Sequence, residues 1–238
     1  REWIPDDEGA KLLEQADLIV VQGGGYEKWV GEMDDVRLLD SSAGIFKRYA
    51  ERRGMDEVKK VLFYGNVDGR GWLDPLHLSM QAELMAGKLD SLPGIEVKRN
   101  VLQGVRGAIE EIETHFRSNQ QLRSERLLSL HPALELCLGP ATGWRWKTVG
   151  VNPAEEAWRG VDQKRMKKEI PKTYEFFPAR MAVALDHPLP EISKQLQNTY
   201  RVYTFVFDSV ETPPSGSATY PQRMKANLTT LTQGFTHL

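Results

Sequence analysis

The chain has a single cysteine, Cys137, in 238 residues. That excludes an internal disulfide framework, and its setting in Leu134-Glu-Leu-Cys-Leu138 makes a buried structural thiol the expected role. Neither sign of charge prevails. Against 31 Lys and Arg stand 33 Asp and Glu, so no basic field is present to hold nucleic acid. No apolar run approaches the roughly 20 residues that cross a bilayer, and no signal peptide is visible at Arg1-Glu2-Trp3-Ile4-Pro5. Gly-x-Ser-x-Gly, His-Glu-x-x-His and Cys-x-x-Cys are all missing, so no nucleophile–base or zinc-protease constellation is legible. A hydrophobic share of 40% with 27% charged residues then excludes disorder, collagen and coiled coil, leaving a globular chain long enough for a real core.

What is present is an alternation of apolar strand-length runs and helical patterns. Strands are expected over 17–22, 36–39, 126–130, 146–151, 181–185 and 202–207. Helices are expected over 26–33, 44–52, 75–89, 153–160, 162–170, 190–200 and 220–231. Between the two series Val97, Val101, Val105, Ala108, Ile112 and Phe116 recur at three and four residues. That predicts a helix over 95–123, about 40 Å long at 1.5 Å per residue, which suits a strut. The fold class is therefore α/β: two lobes with parallel sheets flanked by helices, joined by a long rigid backbone helix. The expected division is an N-terminal lobe over 1–94, the linking helix over 95–123 and a C-terminal lobe over 124–238. In parallel sheets ligands sit at the carboxyl ends of strands, which puts Asp40, His131, Asp186 and Asp208 first in line.

Gly23-Gly24-Gly25 follows a strand but lacks the spacing of a dinucleotide fingerprint and the Lys-Ser/Thr of a phosphate loop, so a packing turn is the preferred reading. Of five histidines, His115 and His237 read as surface residues and His77 as a neighbour of a helix cap. His187 follows a strong strand, and His131 has the best position, at a strand end ahead of Pro132. Trp3, Tyr26, Trp29, Trp72, Trp144 and Trp146 either shape a cleft or pack the core, with packing favoured for Trp29 and Trp72. Lys164-Arg165-Met166-Lys167-Lys168 reads as a solvated helix face.

Several segments, taken in order, resemble the solute-binding proteins of zinc and manganese ABC transporters. Leu13-Glu-Gln-Ala-Asp-Leu-Ile-Val-Val-Gln-Gly-Gly-Gly-Tyr-Glu-Lys-Trp29 looks like that family's strand, glycine turn and E-x-W segment. Trp72-Leu-Asp-Pro75, Ser129-Leu-His131-Pro132-Ala133, Phe207-Asp208 and the closing stretch Tyr220 to Leu231 match further motifs, collinear across nearly the whole chain. The resemblance implies a divalent metal, zinc or manganese, held in an inter-lobe cleft and delivered to an ABC permease by a monomeric extracytoplasmic protein. It implies His131 and Asp208 as metal ligands. The other two ligand positions carry Arg1 and Arg70, so the match is closest to an atypical branch with degraded ligands.

Arginine cannot be deprotonated there and opposes a dication, whereas it suits a carboxylate such as Asp208. A structural zinc site also needs about four ligands. Three readings follow. A metal binds through His131, Asp208 and further partners such as His187 or Glu211, with Trp72 lining the cleft. Alternatively a cationic cleft, with Arg1 and Arg70 as donors, takes an anion or a metal chelate. In the third, the chain is an accessory protein with no small ligand. An enzyme is not expected. Family members carry a further strand and helix and a signal sequence before the first ligand motif, so the chain is expected to be trimmed at its start. On that expectation the first lobe lacks a strand, and the missing signal peptide says nothing for a cytoplasmic location.

Overall fold

The computed structural model describes residues 5–23, 27–30, 37–42, 44–55, 71–118, 123–149, 163–210 and 218–236. The first half opens with helix α1 (Asp7–Gln15), whose N-terminus is capped by Asp6 accepting from the Gly9 N–H at 2.8 Å. Strands β1 (Ile19–Val21) and β2 (Leu38–Asp40) then pair in parallel, Ile19 opposite Leu38. Within the expected helix over 26–33, residues Lys28–Val30 form a 3-10 turn, and 24–26 and 31–36 lie outside the described residues. Helix α2 (Phe46–Arg52) follows, and then α3 (Pro75–Asp90). Asp74 caps α3 by accepting from the Leu76 N–H at 2.8 Å, and Pro75 sits in the first turn, where no N–H is needed.

The long helix α4 spans Arg99–Ser118, about 30 Å. It starts four residues later than the apolar periodicity suggests. Gly94 adopts φ +76° and the Val97 N–H donates to the Asp90 carboxylate at 2.8 Å, which holds 95–98 off the helical path.

The second half is built on β3 (Arg126–Ser129), β4 (Arg145–Thr148), β5 (Met181–Leu185) and β6 (Tyr203–Phe207), all parallel in the order β4-β3-β5-β6. After β3 comes a π-helical turn, Leu134–Leu138, and then α5 (Gly139–Thr142). Pro140 has no N–H to offer the Leu136 carbonyl and its ring crowds that group, so the turn widens there. Strand β4 ends at Thr148, short of the expected 151, with the Val149 N–H still donating to the Ser129 carbonyl at 2.9 Å. The connecting helices are α6 (Gln163–Phe176), α7 (Pro190–Tyr200) and α8 (Tyr220–Thr236). The expected helix over 153–160 lies outside the described residues. Helix α6 does not stop at 170 as expected but runs through Pro171. The carbonyl that Pro171 cannot serve, that of Lys167, accepts from the Gln195 side chain of α7 at 3.2 Å.

The four-stranded sheet is covered on both faces, as its unbroken apolar strands require. Leu127, Met181, Val183 and Phe207 point to one face, where Ile112 and Phe116 of α4 and Met224, Leu228 and Leu231 of α8 pack. Leu128, Ala182 and Ala184 point to the other, against Met166 and Ile170 of α6 and Ile192 and Leu196 of α7. The first of these cores also takes in Tyr49, Leu73 and Met80 from the first half, so apolar packing runs continuously through α4 from one half to the other. Trp144 and Trp146 lie in it, stacked at 6.2 Å, and Cys137 is fully buried beside them. Arg53 binds this junction with charge. It donates to the Asp74 carboxylate and to Glu113 of α4 at 3.0 Å, with Arg53 2% exposed and Asp74 not at all. No helix among the described residues is long and apolar enough to cross a membrane.

Candidate functional site

Parallel strands leave the sheet at one edge, and the register places His131, Asp186 and Asp208 there together. Ser129 is opposite Val183, and Leu185 opposite Phe207. Adjacent strands are about 4.8 Å apart, so β3 and β6, with β5 between them, lie about 10 Å apart.

His131 is oriented by its own turn. The Ala133 N–H donates to its Nδ1 at 3.2 Å, and the Ser129 hydroxyl donates to its carbonyl. Asp186 adopts φ +61°, its N–H donates to the Phe207 carbonyl at 2.8 Å, and its carboxylate accepts from the Ser209 N–H at 2.7 Å. His187, next in the chain, is exposed, its N–H turned back to the Leu185 carbonyl at 2.7 Å.

Asp208 is held at several points. Arg223 of α8 grips it with a two-pronged fork, Nε to Oδ2 and Nη2 to Oδ1, both at 2.6 Å. The Val210 N–H adds a third bond to Oδ1 at 2.9 Å. Burial pushes the carboxyl pKa up, but these bonds and the Arg223 charge outweigh it and hold the group below its usual range. Asn227, one turn beyond Arg223, clasps the Asp208 backbone by accepting from its N–H at 2.9 Å and donating to its carbonyl at 2.8 Å. The turn is strained as well, since Val210 has φ +61°, rare for a β-branched side chain.

Trp72 reaches this turn from the first half. Its indole N–H donates to the Ser209 carbonyl at 2.8 Å, and the Tyr220 hydroxyl donates to the Trp72 carbonyl at 2.7 Å. The Ser209 peptide is thus held on one side by Asp186 and on the other by Trp72, fixing the backbone next to Asp208. Arg1, Arg70 and Glu211 lie outside the described residues, as do Trp3, Tyr26 and His237.

The arginine–carboxylate pair anticipated at Asp208 is therefore made, among the described residues, by Arg223. Sequence reasoning passed over that residue. Its spacing of four from Asn227, on one face of the closing helix, was the available signal. Among the described residues no three His, Cys, Asp or Glu side chains stand close enough to hold a metal ion.

The glycine turn behaves as a packing device. The Glu27 carboxylate already accepts from the N–H groups of Gln22 and Gly23, at 2.7 and 3.0 Å, which a phosphate would otherwise use. Gly23 has φ +78°, and a Cβ there would lie 1.8 Å from the Asp40 carboxylate. His77 lies in the first turn of α3, behind the Asp74 cap, and is buried there: it is 1% exposed, with its ring edge against Tyr49 at 4.9 Å between centroids.

Two parallel α/β halves, bridged by a packed long helix and meeting where polar residues leave the strand ends, define a two-lobe solute-binding protein. The family model "Zinc-uptake complex component A periplasmic" (ZnuA) matches residues 2–234, and the chain belongs to that family. No curated protein sequence matches it. Among solved structures it is similar to the laminin-binding protein Lbp of Streptococcus pyogenes, with 20% identity and a TM-score of 0.72 over 98% of this chain and 86% of that one. It is also similar to a Zn(II)-bound variant of AdcAII of Streptococcus pneumoniae (16%, TM-score 0.69, 98% and 85%). A third is FpvC of Pseudomonas aeruginosa in complex with Mn2+ (15%, TM-score 0.71, 99% and 85%). At such identities the likeness shows the shared fold. By its family the chain is a metal-type solute-binding protein of ABC transport and not an enzyme.

Proposed function

We propose that the chain binds a divalent metal ion, zinc or manganese, at the carboxyl edge of its four-stranded sheet, between the two halves, and delivers it to an ABC permease from outside the cytoplasm. His131 and Asp208 are the ligands on this reading. His187 and Trp72 belong to the same edge on this reading, and Arg1, Arg70 and Glu211, which the sequence assigns to the cleft, lie outside the described residues. The observation that carries it is the exit of His131 and Asp208 from strands of one parallel sheet, on either side of β5, in a chain of this family. Zinc in the AdcAII structure and manganese in the FpvC structure supply the choice of ions. Neutral imidazole and carboxylate are donors that both ions accept.

The arginine fork on Asp208 favours a second reading, in which the edge takes an anion or a metal chelate whose charge Arg223 meets. Calorimetric titration of chelator-stripped protein separates the two. Micromolar or tighter one-to-one binding of zinc or manganese, lost in His131→Ala, is expected. A protein that ignores the free ions but binds zinc citrate, or citrate alone, belongs to the second reading.

A further inference from the structure

We infer that Arg223 is the gate of the solute site: a cation supplied by the protein itself that occupies Asp208 and that an incoming metal ion has to displace. The inference rests on the metal-binding reading above. Its starting point is geometry, since both oxygens of the carboxylate are engaged by one guanidinium at 2.6 Å. The fork and the Val210 N–H take three of the roughly four lone-pair sites of the carboxylate, and a metal ion carries the same sign of charge as Arg223. A metal ion that takes both oxygens therefore excludes the full fork.

The surroundings permit such an exchange. The Asp208 side chain is 43% exposed and that of Arg223 only 13%, so an ion can approach the carboxylate from its open side while the guanidinium stays against the protein. Asn227 and Val210 hold Asp208 independently of Arg223, through its backbone and through Oδ1, so release of the fork leaves the carboxylate in place. Asp186 also bears on Arg223 electrostatically and retains a counter-charge for the released guanidinium. The gate lowers apparent affinity by the fraction of time the fork is closed. Only ions that bind oxygen and nitrogen donors strongly displace it, which selects transition metals over weakly held cations.

The test is zinc chloride titration, by calorimetry or against a chelating dye, on the chelator-stripped protein. Arg223→Gln is expected to bind zinc at least ten-fold more tightly than the parent, and the gain is expected to vanish when Asp208→Asn is added. A gain that survives Asp208→Asn, or no gain in a folded Arg223→Gln, overturns the gate. Arg223→Lys keeps the charge without the fork and is expected to give a smaller gain. If Arg223→Gln fails to fold, the absence of any gain in Arg223→Lys overturns the gate instead. Zinc binding by the parent that His131→Ala abolishes, with no effect at Arg223, overturns the gate and leaves the metal-binding reading standing. No zinc binding by any of these proteins overturns both.

Discussion

His77 shows what burial does to one titratable group. It is 1% exposed, and a Cβ on the neighbouring Gly71 would lie 2.4 Å from its Cε1, so the ring fills a space sized for it. Burial pulls its pKa down to about 4, against a weaker opposing effect of Gln81. Below pH ~6.5 the unfolded chain takes up a proton that the folded chain refuses. The stability associated with neutral His77 is therefore intact above that pH and is lost as pH falls toward 4, at about 1.4 kcal/mol per unit or about 3 kcal/mol in all. Urea unfolding of the parent and of His77→Gln at pH 7 and pH 4 measures this. The parent is expected to lose about 3 kcal/mol more than the variant, and equal losses would refute the account. Cys137, fully buried, and His115, exposed, stand where their sequence neighbours suggested. The burial of His77 was not readable, because its first-turn position leaves the facing residues unknown.

Helix starts and stops follow local chemistry where the chain is exposed and tertiary contacts where it is not. Asp74 is both. As a cap it accepts from the Leu76 N–H, which Asp-Pro at a helix start signals. As a fully buried charge it also accepts from the Tyr49 hydroxyl at 2.7 Å and from Arg53, groups more than twenty residues away that no local pattern reveals. Burial and the Asp74 charge raise the Tyr49 pKa, and the bonds to Asp74 hold Arg53 charged despite the cost of its burial. Asp74→Asn retains a cap acceptor but leaves Arg53 without its main counter-charge. Breaking such a pair costs about 3–5 kcal/mol, measurable as a drop in the urea midpoint at pH 7 with little change in slope. Helix α6 makes the same point from its other end: Pro171 reads as a stop, and only the Gln195 side chain of α7 makes its continuation tolerable.

At the scale of the molecule, one apolar core threads both halves through α4, and Trp72 and Arg53 add polar ties across the junction. The chain is therefore expected to unfold in one cooperative transition, with tryptophan fluorescence and far-ultraviolet circular dichroism coinciding in urea. Separated transitions would show that the halves are energetically independent. The alternation of apolar strands and amphipathic helices, the long central helix and the family motifs were all legible in the sequence. Burial on both faces of a parallel sheet writes itself as unbroken apolar runs, such as Met181–Leu185. The sequence likewise determined that His131, Asp186 and Asp208 follow the ends of strands. Only the tertiary structure decided that Asp208 meets Arg223, that Trp72 reaches Ser209, and that β5 stands between His131 and Asp208. Strand order and helix docking arise from contacts between residues distant in the chain, so which charge faces which carboxylate is fixed by packing rather than by any local pattern.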